Sequence, residues 1–367
     1  MDSREGGFLG IITYQNCVNV YIIGVGFYPL IINMFSSTIS FLKNSPQKLF
    51  LALGLALSVP FLASAHTRWF AEGEIEPFVA TEPTGVYLFV IAIIALLIIG
   101  LATMFERVGW LKFSFMRPTA PHALERASST FSMITGAFFM IAGSHEYLFS
   151  PNLSAEVGIP MYLCMAQFAI GLMLVLGVFA RVAGLLLVVA WFLGIHYGGL
   201  EAMVEDIWVL SIAAFIVIMG NDYFSILSVR ALKPFVKKLH AYALPVLRLG
   251  TGFTLLTLGF TEKILRPELG LNFLAQHDWN FMSSLGFSDY LFVLMAGSTE
   301  ALLGILLILG VMTRLTALVI AIIFTIPLFI LGPIELTGHL PHFIAVFIIL
   351  LFGPGKHFRL LNRKYRK

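Results

Sequence analysis

Charge is the first thing this chain lacks. Of its 367 residues only 12% are Asp, Glu, Lys or Arg, against roughly 25% in a water-soluble domain. That excludes a soluble globular fold, and with 34 Phe present it also excludes disorder. Cysteine is scarcer still. Cys17 and Cys164 are the only two, with no CxxC and no CxxCH, which leaves no disulfide scaffold, no paired-thiol oxidoreductase and no attached haem. Phosphate-binding glycine loops, catalytic serine motifs and dinucleotide fingerprints are missing too. The net charge of +3 does not imply a nucleic-acid partner.

What the chain has is apolar length: 59% of its residues are hydrophobic. A bilayer core about 30 Å thick needs roughly 20 such residues per helix. Val86 to Phe105, Val157 to Ala180 and Leu315 to Ile334 are long and carry no charge. Ala127 to Ser144, Val182 to Leu200, Ile207 to Asn221, Leu249 to Thr261, Tyr290 to Thr313 and Leu336 to Gly355 also fit, and Leu49 to Ala65 makes a tenth. Backbone groups in lipid must pair within their own segment, so the expected fold is all-α and polytopic, with about ten transmembrane helices. Under strict alternation every Lys and Arg except Arg68, Lys263, Arg266 and the unassigned Arg4 falls on one side. By the positive-inside rule that side is the cytoplasm, and the C-terminus lies there. The implied location is a bacterial inner membrane, with the lipid bilayer as the first partner.

The first 65 residues admit two readings. Residues 8–33 form an uncharged stretch that could span. Lys43 and Lys48 precede LFLALGLALSVPFL and Ala63-Ser64-Ala65, the layout of a secretory signal cleaved before His66, or equally of an uncleaved anchor. The organisation is then 1–65 apolar segments, 66–84 an outer loop, 85–124 a span and cytoplasmic linker, and two four-helix units over 125–230 and 240–362.

Those units match when laid over one another. A shift of 116 residues places Gly136 on Gly252, Gly143 on Gly259 and Glu146 on Glu262. Past a loop the shift becomes 133, placing Gln167 on Glu300, Gly171 on Gly304, Gly177 on Gly310, Arg181 on Arg314 and Gly220 on Gly353. An even number of helices per unit makes the copies parallel.

The second unit resembles the DoxX family of four-helix membrane proteins, which includes DoxD-like and MauE-like members. The residues that carry the resemblance are Arg248 with Gly252, Gly259 and Lys263 in GFTEK, Glu300 and Gly304 in EALLGILLILGVMTR, and Gly353-Pro354-Gly355. The first unit is a degenerate copy, with Gln167 in place of the embedded acid. The resemblance implies the membrane subunit of a quinone-linked redox complex, with a separate redox or periplasmic protein as electron donor. It equally allows a non-catalytic assembly or scaffold factor, because fold does not fix function.

Glu300 stands out chemically, since an acid near the middle of a span is costly and needs a partner or a proton. It reads either as a proton-accepting group facing quinone, with Lys263 and Arg314 as neighbours, or as a structural group hydrogen-bonded to Thr254 or Thr257. Histidine gives an alternative. His66, His145, His196, His277, His339 and His342 are expected at or beyond the outer face. With Glu146, five of these, His66, His145, His196, His339 and His342, form a candidate set for copper or another transition metal. The ordinary reading is that helix ends collect polar residues. Trp69, Trp110, Trp208 and Tyr290 read as interface anchors.

Overall fold

The structure, a computed structural model, describes residues 78–109, 113–228, 232–332 and 334–361. All of them lie in one compact unit, Phe61–Lys367. The apolar segments of residues 1–65, together with His66, Trp69 and Trp110, fall outside the described residues.

The described secondary structure is helical, as the unpaired-backbone constraint requires. The principal helices are α1 (Thr84–Val108), α2 (Ala123–Ser144), α3 (Met161–Val175), α4 (Ala180–Glu205), α5 (Trp208–Met219), α6 (Ala243–Leu258, prolonged by a wide turn Gly259–Ile264), α7 (Pro267–His277), α8 (Asp289–Leu309), α9 (Thr313–Leu331) and α10 (Ile334–Phe352). Local chemistry sets their ends. The Ser288 hydroxyl accepts from the Leu291 amide at 3.2 Å to start α8, Asp289 sits in its first turn, and left-handed Gly310 (φ 67°) stops it.

Thr84–Val108, Ala180–Glu205, His240–Ile264 and Asp289–Leu309 are long and apolar enough to cross a membrane. The chain is a helical membrane protein. Met161–Val175, Trp208–Met219, Thr313–Ile326 and Gly338–Phe352 are apolar but shorter. Val157 to Ala180 therefore differs from expectation. Gly158 (φ 101°) and Pro160 delay its helix and Gly177 (φ 64°) ends it, leaving about 22 Å of α3.

Packing follows a fixed order. α2 lies along α3 and α6 along α8; α4 pairs with α5 and α9 with α10; α5 then meets α6, and α10 meets α2. α1 attaches to α8 and leaves Phe89, Leu96, Leu97 and Val108 exposed, the all-round apolar surface of a lipid-facing helix. Two crossings have no room for side chains. A Cβ on Gly252 would lie 2.8 Å from the Gly304 carbonyl oxygen, and one on Gly136 2.6 Å from that of Gly171. Small residues let helix backbones approach in lipid, where burial from water cannot drive association.

One end of the bundle is basic. Arg181 donates to both oxygens of Asp222 (2.9 and 3.0 Å) and to the Met219 carbonyl, and Arg314 donates to the Leu350 and Leu351 carbonyls (3.1 Å each). Arg248, fully buried, donates to the carbonyls of Leu307, Ile308 and Phe358. Each guanidinium thus meets the negative end of a helix. Arg359 reaches Glu106 at 2.7 Å, tying α1 to this end. The opposite end joins through Glu82 to Ser288 and Thr84 to Tyr290.

Replacing Gly304 by Val should force α6 and α8 apart and cost about 1–3 kcal/mol, read as a lower unfolding temperature in detergent. Burial alone would raise the Asp222 carboxyl, but the hydrogen bonds and charge of Arg181, with Lys233 nearby, hold it below the usual aspartate value. Its stabilisation is therefore present above the ordinary aspartate range and lost as pH falls through the lowered value. At 34% exposure that contribution is under about 1 kcal/mol. Asp222→Asn should lower stability at neutral pH and flatten its acid dependence.

Candidate functional site

The wide turn that prolongs α6 decides where its side chains go. Between Gly259 and Ile264 the helix loosens, and the Leu265 amide reaches back five residues to the Phe260 carbonyl at 2.8 Å. Such π-type turns add a residue to the helical circuit and are frequent at functional sites. Here the turn directs both Glu262 (1% exposed) and Lys263 (2%) into the bundle. Lys263, which loop sidedness places with the outer cations, is an interior residue. Close approach of Gly259 to Gly297 brings α8 alongside, since a Cβ on Gly259 would lie 2.5 Å from the Gly297 carbonyl oxygen.

α8 supplies the partner. Lys263 Nζ donates to Glu300 Oε2 at 2.9 Å, with both side chains 2% exposed. Glu300 Oε1 takes no hydrogen bond among the described residues. Thr254, an alternative partner on sequence grounds, instead donates within its own helix to the Gly250 carbonyl. Gln167, which the 133-residue shift lays on Glu300, is neutral and satisfied. Gln167 Oε1 accepts from the Phe149 amide (2.9 Å), and its Nε2 donates to the carbonyls of Tyr147 and Phe139.

More ionisable groups converge on the pair than sequence reasoning singled out. Glu262 is within electrostatic reach of Glu300 on one side and of Asp206 on the other. Asp206, in the turn between α4 and α5, is 2% exposed and accepts from Ser150 Oγ (2.7 Å) and Trp208 Nε1 (2.8 Å). Trp208 is no interface anchor: it is 3% exposed, stacked on Phe139 and 5.0 Å from the His342 ring. Tyr290 is likewise buried and bonded to Thr84. The 133-residue shift that carries Gln167 onto Glu300 also carries Asp206 onto His339, the signal that could have found it.

The other expected site residues separate. His339 and His342 are buried rather than at an outer surface, because α10 begins at Ile334 and carries them one to two turns inward. Their rings lie 6.5 Å apart, and His339 is within electrostatic reach of Glu300. Arg314 stays at the basic end on α10 carbonyls, whereas Glu300 lies nine residues before α8 ends, roughly 14 Å away along the axis. His145, Glu146 and His196 are exposed. Among the described residues no three His, Cys, Asp or Glu are placed to hold a metal ion.

The DoxX family model matches residues 243–332. The match contains Lys263, Glu300 and Arg314 and stops before His339 and His342. No curated protein matches. No solved structure matches either.

Lys263→Met should leave the Glu300 carboxylate buried without its cation and cost about 3–5 kcal/mol. Glu300→Gln keeps a hydrogen-bonding group, as Gln167 does, and removes the buried carboxylate, so its advantage over Lys263→Met should be largest at high pH and shrink as pH falls and the carboxyl left in Lys263→Met takes a proton. Unfolding of the purified variants across pH compares them.

Proposed function

We propose that this is a DoxX-like inner-membrane protein whose second unit carries a buried proton-exchanging site for a quinone-linked redox reaction. The observation that carries the reading is the Lys263–Glu300 pair, sealed in the bundle with one carboxylate oxygen unbonded among the described residues. Lys263 pairs with Glu300, and the carboxyl groups of Glu262 and Asp206 are buried as well. Charge held in such surroundings is costly, which favours a carboxyl group that can take up a proton.

Reduction of a quinone consumes protons as well as electrons. The electrons would come from a separate redox protein, because none of the motifs that attach haem or nucleotide is present. Glu300 would take and release the proton, Lys263 would hold its carboxyl in place, and the quinone family implied by the resemblance would be the acceptor. Arg314 is proposed only as a helix-end group. The tandem repeat supports the architecture: the crossings Gly136–Gly171 and Gly252–Gly304 fall at the 116- and 133-residue shifts, as do Arg181 against Gly220 and Arg314 against Gly353. The collection of Arg at one end supports placing that end in the cytoplasm.

In membranes containing the protein and its redox partner, Glu300→Gln and Lys263→Met should each slow quinone reduction by about 100-fold, measured per folded protein. Full activity in Glu300→Gln would remove the reading.

A further inference from the structure

The buried acids do not stop at the ion pair; they continue out of the second unit and into the first. Glu262 precedes Lys263, which holds Glu300, and lies within electrostatic reach of both Glu300 and Asp206; Asp206 follows Glu205, which Arg266 at the end of the same wide turn holds at 3.4 Å. All four acids are 3% exposed or less. The row then reaches the surface. Arg266, 33% exposed, pairs with Glu205 and with Glu201, which is 73% exposed; both acids lie at the end of α4 away from Arg181, the acidic end of the bundle.

Side chains hold this row in place. Asn152 donates to Glu205 at 3.0 Å, and Ser150 and Trp208 each donate to one oxygen of Asp206. An apolar core needs none of these groups. Hydrophobic residues of similar volume would pack there without the desolvation that buried carboxyls incur. At its inner end the row finishes on Glu300 Oε1, which takes no hydrogen bond among the described residues.

We propose that Glu205 and Asp206 of the first unit, followed by Glu262, form a proton route between water at the acidic end and Glu300. Only protons move: one enters at the Arg266–Glu201–Glu205 rim, passes by way of Asp206 and Glu262 with water bridging the gaps, and arrives on the Glu300 carboxyl. The return path runs in reverse. The titratable groups facing the row are Glu201, Glu205 and Asp206 from α4 and its following turn, Glu262, Lys263 and Arg266 from the wide turn and its end, Glu300 from α8, and His339 and His342 from α10. The first unit, though it lacks an acid at Gln167, thereby serves the site in the second. This inference rests on Glu300 exchanging protons.

The test follows the carboxyl C=O infrared band of Glu300, identified by its loss in Glu300→Gln, after a pH jump applied to one side of proteoliposomes of determined orientation. In the unaltered protein the band should respond faster to a jump at the Arg266 side than at the Arg314 side. Asp206→Asn and, independently, Glu262→Gln should slow that response about tenfold or more and leave its final amplitude, and Asp206→Glu should restore the rate. A band that responds equally fast in Asp206→Asn and Glu262→Gln, or faster from the Arg314 side, would overturn the route while leaving Glu300 as a proton exchanger. A band with no pH response in the unaltered protein would overturn both.

Discussion

An ammonium and a carboxylate buried together between two apolar helices are the constraint around which this structure is arranged. Taking both charges out of water costs several kcal/mol each, and their attraction repays that only with close geometry. Lys263 and Glu300 meet at 2.9 Å with almost no exposure. Each supporting feature serves that meeting. The Gly259–Gly297 and Gly252–Gly304 crossings bring α6 and α8 close enough, and the wide turn at the end of α6 points Lys263 inward instead of into lipid.

The two ends of the bundle treat charge differently. At the basic end guanidinium groups are absorbed by helix carbonyls and a few acids, as Arg314, Arg248 and Arg181 show, and this fixes where helices stop. Toward the acidic end, acids enter the interior and are held by hydroxyl, indole and amide donors. The first arrangement needs no titration to do its work. The second makes sense for groups that gain and lose protons, and it draws residues from α4, α6 and α8 and the turns that follow α4 and α6.

Much of this architecture was legible in the sequence. Apolar length pointed to an all-helical membrane fold, because lipid leaves the backbone no other way to pair. The register of Gly136, Gly171, Gly252 and Gly304 is matched by the glycine crossings. Glu300 was legible because an acid inside an apolar run has no cheap explanation. Its partner was named, but its burial was not. Lys263 lies near a span end, where counting by loops puts it outside, and the irregular turn that brings it in has no signature in hydropathy. Trp208 read as an anchor for the same reason: it begins a helix, yet that helix starts within the bundle against Phe139 and His342. Asp206 and Glu205 were visible only as outer charges, since nothing local tells a loop acid from one folded back under Ser150 and Asn152.

The most direct measurement is a charge exchange across the pair, Lys263→Glu with Glu300→Lys, compared with each single reversal by the fraction of folded protein recovered in detergent. If the buried attraction organises the bundle, each single reversal places like charges together and recovery collapses, while the exchanged pair regains most of it. Recovery of the double variant no better than that of the worse single would contradict the account.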